Sequence, residues 1–528
     1  MQKAWVDRLY AAGIGVTLVA RPFSTWLMSQ GAFLCVMAWV ADRLVNGPVL
    51  RGRGWRFYRV QAPLWAVLGL WGWHALGLLW TSDLAEGWNV LRIKAPLLAF
   101  PLILITGRWD RQRVLAWVPK VWAFALVAAC IAVLGQGLLR EGPLAPRDWS
   151  PFVSHIRLSL FIAFGTAWWW AKWLQRQARL ALPLALTVLG GAVIWKTATL
   201  TGALLLPAVG VMLAATVGLD RIGVPRKWAR RGAWGALGLA VGAVLWAAWA
   251  LRPLRPDPAS LPERSAAGTP YWHDLERTLR EGDEFVWTRV AEREMRPVWN
   301  RRSALAFDGL DGRNQELKMT LIRYLTSLRL PKDSAGVEAL SADQIAHVER
   351  GIPTAFELTH SGLRRRWDVL RFEVLNAWDG GNPSGHSVVQ RLHFLRAARW
   401  IAQGAPVWGV GTGDLNREFA RAYDALESPL QPAFRLRAHN QYVSFFLAGG
   451  PLAVLLWGAV LVLSGRGVPA DYRVAAWLFL GVLALSCLTE DTLETQAGVT
   501  FAGLFLGLFG RRGGQDGRDR NVETAVGS

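Results

Sequence analysis

The run Arg435-Leu-Arg-Ala-His-Asn-Gln-Tyr442 leads straight into the apolar stretch 443–464. His439 therefore stands where water meets the end of a hydrophobic helix, with Arg435 and Arg437 before it and Asn440 and Tyr442 after it. A neutral imidazole can take a proton from a hydroxyl, and guanidinium groups hold anions through paired donors. A lone histidine is more often structural than catalytic; the boundary position and the polar neighbours raise the standing of this one. Upstream, Gly409-Val-Gly-Thr-Gly-Asp414 offers backbone N–H groups to an anion or simply makes a tight turn. Its spacing is neither a Walker nor a dinucleotide fingerprint. Arg391, in Ser387-Val-Val-Gln-Arg391, belongs either to a solvated helix face or to a phosphate clamp.

Other charges interrupt apolar runs. Arg92 and Lys94 lie in Leu91-Arg-Ile-Lys-Ala-Pro96, Arg157 in Ser154-His-Ile-Arg-Leu158, and Glu490 in Leu488-Thr-Glu490. Ionisable groups inside a span are costly, and mark either function or a buried partner. Snorkelling explains Arg92 as readily, and the deeper Lys94 less so. Glu490 is placed to pair with one of these cations. The histidines His273, His347, His360, His386 and His393 lack ligand-like spacing, so no metal and no cofactor is expected. Hydrolase signatures of the G-x-S-x-G kind are missing as well.

These residues must be positioned by membrane helices. The chain has 528 residues, 52% of them hydrophobic, and 31 tryptophans, many near the ends of apolar runs where indole suits the headgroup layer. A hydrocarbon core about 30 Å thick takes roughly 20 helical residues. Candidate spans fall near 10–28, 29–46, 63–81, 89–107, 115–138, 155–175, 180–197, 199–219, 233–251, 441–464, 473–489 and 496–510. The first two are poorly separated. The expected fold is thus an all-α polytopic membrane protein with about twelve transmembrane helices and a large, mostly helical segment before the last three. Basic residues gather after even-numbered spans: Arg51, Arg53, Arg56 and Arg59, then Arg108, Arg111 and Arg113, then Lys172, Arg176 and Arg179, then Arg221, Arg226, Lys227, Arg230 and Arg231, then Arg466 and Arg473. Acidic or mixed sets follow odd-numbered spans: Asp83 and Glu86; Arg140, Glu141, Arg147 and Asp148; Glu490, Asp491 and Glu494. The positive-inside rule then sets both termini in the cytoplasm and the 252–440 segment outside, with Lys94, Arg157 and His439 at one outer depth. The formal charge of +20 raises nucleic acid as a partner, but the cations lie in short connections between spans, which argues for a lipid bilayer and no nucleic acid. Cys35, Cys130 and Cys487 all sit in apolar runs, which excludes a disulfide framework in the polar segment.

The chain divides into an N-terminal bundle (1–251), an outer domain (252–440), three C-terminal helices (441–510) and a polar tail (511–528) expected to be disordered. Helical periods appear in the outer domain at 271–297, 315–328, 342–350 and 387–403.

With these motifs on the page, the chain resembles the O-antigen ligase and O-antigen polymerase superfamily of bacterial envelope transferases. The resemblance covers most of the chain. It rests on the span arrangement, Leu91–Pro101 with Lys94, Ser154–Ser159 with Arg157, Ser387–Arg391, Pro406–Gly413 and His439-Asn-Gln-Tyr442. In that family a Gly-x-x-Gly pattern follows the histidine; here Gly450 fits and Ala453 replaces the second glycine. The resemblance implies an inner-membrane enzyme with its active site on the periplasmic side. It implies a glycan donor on polyprenyl (undecaprenyl) diphosphate, and lipid A–core or a growing glycan as acceptor. By it, His439 is the catalytic base, and Arg391, Arg157 and Lys94 hold the diphosphate, with Arg437, Asn440, Tyr442 and Glu490 as further binding residues. Ligase and polymerase share these motifs. A transporter is the alternative of another class, and the lack of an inverted repeat and of midplane charges argues against it.

Overall fold

The computed structural model describes residues 2–47, 61–139, 146–197, 199–217, 223–360, 362–466 and 468–510. Arg51, Arg53, Arg56, Arg59, Arg140, Glu141 and Arg221, used in the orientation argument, and the tail from Arg511 lie outside these residues. The chain is mostly helical, with almost no sheet. It forms two compact units, one of residues 1–239, 394–426 and 436–528, the other of 240–393 and 427–435. Residues 394–426 of the polar segment thus pack with the apolar helices, and the limits fall at 239/240 and 393/394 rather than at 251/252 and 440/441.

The first unit contains α1 (Gln2–Ala20), α2 (Thr25–Asn46), α3 (Ala62–Leu76), α4 (Leu84–Thr106), α5 (Arg111–Leu139), α6 (His155–Leu174), α7 (Ala181–Lys196), α8 (Leu200–Thr216) and the first half of α9 (Arg226–Ala250). Between α9 and the rest of this unit come β1 (Arg280–Glu281), β2 (Glu284–Phe285), α10 (Glu292–Arg302), α11 (Leu317–Ser327), α12 (Ser334–Glu338), α13 (Ala342–Glu349), α14 (Phe356–Thr359), α15 (Gly362–Trp378) and the start of α16 (Ser387–Gly404). Then follow α17 (Leu415–Ala425), α18 (Gln441–Gly465), α19 (Ala470–Thr489) and α20 (Gln496–Gly510).

Six helices are long and apolar enough to cross a membrane: Ala62–Leu79, Leu84–Thr106, Arg111–Gly137, Lys227–Ala250, Gln441–Gly465 and Ala470–Thr489. Ala181–Lys196, Thr201–Thr216 and Gln496–Gly510 are apolar but shorter. Among the described residues, then, six helices meet the length and composition of a span, where twelve were expected.

The first two apolar runs are separate helices, and the break comes earlier than expected, at Arg21-Pro-Phe23. A proline just past α1 stops it, and Ser24 Oγ caps α2 by accepting from Leu27 N at 3.2 Å. The two helices run antiparallel at close range. A methyl on Gly13 would meet Cys35, and one on Gly31 would meet Thr17, the small-residue contact that membrane helices use to approach.

Two packing devices position the polar end of the bundle. Gly503 and Gly507 on α20 lie against the carbonyls of Pro96 and Phe100 on α4, where added Cβ atoms would stand 2.2 and 2.7 Å away. Such G-x-x-x-G contact brings the start of α20 beside Lys94. The second device is a break in α18. Gly449 and Gly450 leave helical geometry, Gly450 at φ +66°, and Pro451 follows. A break at membrane depth must have its freed carbonyls satisfied by protein. Here Val410 N donates to Leu447 O at 2.8 Å, Gly411 N to Ala448 O at 3.1 Å and Trp73 Nε1 to Gly449 O at 2.7 Å. Ala453, in place of the expected second glycine, is fully buried just past the break.

In the polar segment, Leu317–Ser327, Ala342–Glu349 and Ser387–Gly404 match the expected helices. The expected helix at 271–297 does not form. Its first part is irregular with a two-stranded hairpin, and only Glu292 onward is helical. Gly282-Asp283, between the strands with Gly282 at φ +60°, is a hairpin turn pair and explains the error. The helix Gly362–Trp378 was not anticipated.

Candidate functional site

The site is organised by the six residues Glu490–Thr495, which join α19 to α20. Glu494 is its hub. Its Oε1 lies 2.5 Å from Lys94 Nζ and accepts from Gln441 Nε2 at 2.9 Å; its Oε2 lies 3.4 Å from Arg437 NH1. Lys94 and Gln441 are buried, and the Glu494 side chain is 13% exposed. Burial pushes the Glu494 carboxyl up, but Lys94 and Arg437 outweigh it and hold the group down at about 2. Arg437 also reaches Glu86 Oε1 at 3.4 Å and donates from Nε to Asn416 Oδ1 at 2.7 Å.

Arg157, buried on the first turn of α6, donates to Thr495 Oγ1 and to the Asp491 carbonyl, each at 3.0 Å. Its NH1 is buried with no hydrogen-bond partner among the described residues. Asp491 accepts from Ser444 Oγ at 2.6 Å. Burial raises its carboxyl pKa, against that bond and against the nearby charges of His439 and Arg437.

His439 Nδ1 stands 3.4 Å from Glu490 Oε2. The histidine is about one-third exposed and the carboxylate buried. The ring packs against Phe394, with centroids 5.5 Å apart. With Nδ1 turned to a carboxylate, Nε2 is the nitrogen left for chemistry. The backbone of His439 is left-handed, φ +48°, an uncommon state for a residue with a Cβ and one that collects at functional sites. Directly after it, Asn440 Oδ1 accepts from Tyr442 N and Val443 N and so starts α18, while its Nδ2 donates to Leu488 O.

The expected residues therefore divide. His439, Glu490, Lys94, Arg157 and Arg437 meet at one end of the first unit. Asn440 and Tyr442 border them but have their polar atoms on backbone: Asn440 as cap, Tyr442 through its hydroxyl to Ala484 O at 3.2 Å. Arg92 is exposed and bonded to Asn89. Arg391 belongs to the second unit, half-buried on α16. It lies three residues before Phe394, on the same face of that helix. Arg435 also belongs to the second unit, donating from Nε to Leu430 O at 3.0 Å.

Of the two readings of the loop 409–414, the structure favours the turn, because the amides of residues 409, 410, 411 and 413 donate within the protein. Those of Val410 and Gly411 serve the α18 break. Gly409 N donates to Pro406 O, and Gly413 N to Thr81 Oγ1. Asp414 fastens the loop, accepting from Ser82 N, Ser82 Oγ and Asp83 N.

Sequence reasoning missed Glu494, Gln441 and Asp491 as members of the site. The signal was present in the spacing Glu490-Asp491-x-x-Glu494, of which only Glu490 was read as a site residue and the other two served to orient the spans. Three acids in one short connection, level with three cations inside spans, call for ion pairing. The chain matches no protein-family model and no curated protein.

Proposed function

We propose that the chain is a membrane-embedded glycosyltransferase of the O-antigen ligase type. It moves a glycan from undecaprenyl diphosphate to a sugar hydroxyl of lipid A–core at the periplasmic face of a bacterial inner membrane. The observation that carries this is His439 beside Glu490, with Nε2 left over, on the same Glu490–Thr495 connection that binds Lys94, Arg157 and Arg437.

In the proposed step, His439 Nε2 takes the proton of the acceptor hydroxyl as that oxygen bonds to the anomeric carbon. The bond from that carbon to the diphosphate oxygen breaks, and its electron pair leaves on the diphosphate, inverting the centre. Glu490 steadies the imidazolium that forms, the role a carboxylate plays toward histidine in hydrolytic triads. The cations offset charge gathering on the leaving group. Arg157 NH1, buried without a partner among the described residues, is the donor of this site free to bind an anion. Lys94 is already paired, so it serves the diphosphate by sharing between that anion and Glu494.

The test uses purified protein, a polyprenyl-diphosphate glycan and a lipid A–core acceptor. His439→Ala is expected to abolish transfer, and near-wild-type transfer by it would remove His439 from the mechanism. Labelling of lipid A–core in one step supports a ligase; growth of polyprenyl-linked chains supports a polymerase.

A further inference from the structure

The second unit contains a cavity of about 220 Å³ that the transfer chemistry leaves unused. Its lining includes the apolar side chains of Pro353, Val369, Phe356 and Phe372. It also includes charged side chains that already have partners. Arg323 NH2 lies 2.6 Å from the buried Glu281, and its guanidinium lies 3.8 Å above the Phe372 ring. Arg365 lies 3.3 Å from Glu357 Oε1. Asp368 Oδ2 lies 2.5 Å from His360 Nδ1.

These pairings decide the ligand class. An anion would have to pull a guanidinium off its carboxylate, leaving that carboxylate uncompensated. A metal ion needs three or more ligating side chains together, and no such group occurs among the described residues. What remains is hydrogen-bonding capacity. Asp368 Oδ1 and Glu357 Oε2 accept nothing from the described residues, and neither ring nitrogen of the half-buried His386 has a partner there. Fixed acceptors in one cavity with apolar side chains suit a molecule with hydroxyl donors on its rim and C–H groups on its face.

We propose that this cavity is a sugar-binding subsite that takes one neutral pyranose ring, its hydroxyls on Asp368, Glu357 and His386 and its C–H face toward Val369 and Pro353. That such a ring arrives on a lipid-linked glycan rests on the transfer function proposed above; that the cavity takes a sugar does not.

The experiment is saturation-transfer NMR on the full-length protein in nanodiscs, with free D-glucose, D-galactose, L-rhamnose and N-acetyl-D-glucosamine as probes. At least one of them is expected to receive saturation. Asp368→Asn, which keeps the size of the side chain, is expected to weaken that sugar at least tenfold. Val369→Trp, a change at a position 39% exposed, fills the cavity without opening the core and is expected to do the same. His439→Ala is expected to bind sugar as wild type does, which keeps this test apart from transfer. Transfer surviving in His439→Ala would end the catalytic proposal and leave the subsite standing. Saturation of none of the four sugars, binding unchanged in both cavity variants, or displacement of the sugar by inorganic phosphate would overturn the subsite.

Discussion

Replacing Glu494 by Gln removes the anion that Lys94 faces at 2.5 Å while preserving shape. Lys94 is 2% exposed, so its ammonium is left in a place water does not reach. Breaking one side of a buried pair costs about 3–5 kcal/mol, because the remaining charge is uncompensated. A second route gives a similar figure. The Glu494 carboxyl is held at about 2 against an ordinary 4.5, and at about 1.4 kcal/mol per pKa unit the shift corresponds to roughly 3 kcal/mol. For a chain of 528 residues a loss of that size lowers the melting temperature by roughly 3–5 °C. Tryptophan fluorescence during heating of the detergent-solubilised protein reads it directly, given 31 tryptophans.

Two controls make the argument refutable. The double variant Lys94→Met with Glu494→Gln removes both charges, so it is expected to melt above Glu494→Gln alone, a coupling of about 1–3 kcal/mol. The second control is pH. A carboxyl with a depressed folded pKa contributes stability that is complete above its unfolded value near 4.5 and is lost as pH falls through about 2. The gap between wild type and Glu494→Gln is therefore expected to be constant from pH 7 to 5 and to close toward pH 2. Purely additive effects in the double variant, or a gap already closed at pH 5, would refute the pairing as the source of stability.

Three further outcomes follow from the geometry. On the proposed function, Arg157→Gln is expected to lower transfer by about one to two decades, the worth of a charge-assisted hydrogen bond near 1.5–3 kcal/mol; Arg157→Lys, without the planar fork, recovers part of it, and a Gln variant within twofold of wild type removes Arg157 from the proposed diphosphate site. Gly450→Ala forces a Cβ to 1.9 Å from Val407 O at φ +66°, whereas Gly458 has open space around its Cβ position; the first is expected to melt well below wild type and Gly458→Ala within a degree or two of it or above. Lys332 is buried on a carbonyl bond to Phe285, and burial, reinforced by Arg289, lowers its pKa to about 7. Because the folded state sheds this proton before the unfolded chain does, stability is expected to rise with pH between 7 and 10.5, by up to about 1.4 kcal/mol per unit; Lys332→Met is expected to melt higher than wild type at pH 7 and to lose that advantage by pH 10.5.

What was legible in the sequence was legible because it is local. An apolar run announces a helix, Asn440 before such a run announces a cap, and an ionisable residue within one announces a partner or a function. None of these signals names the partner. Lys94 meets Glu494 across 400 residues, and nothing near either residue specifies the other. The glycine loop shows the same limit from the opposite side. Glycines at 409, 411 and 413 look alike whether their amides await an anion or a broken helix, and the deciding fact lies some forty residues on, at Gly449-Gly-Pro451. That break is itself a local signal, since a glycine pair and a proline in a span must free carbonyls. Those carbonyls need donors from a segment with spare amides, and a glycine-rich loop just upstream is such a segment. The acids of the last connection follow by the same matching. A charge buried in a span requires its opposite at that depth, and among the connections at the His439 end, Glu490–Thr495 carries the densest set. Matching unsatisfied groups by depth, instead of classifying each motif separately, recovers Glu494 as the hub of the site and removes the anion cradle from the loop.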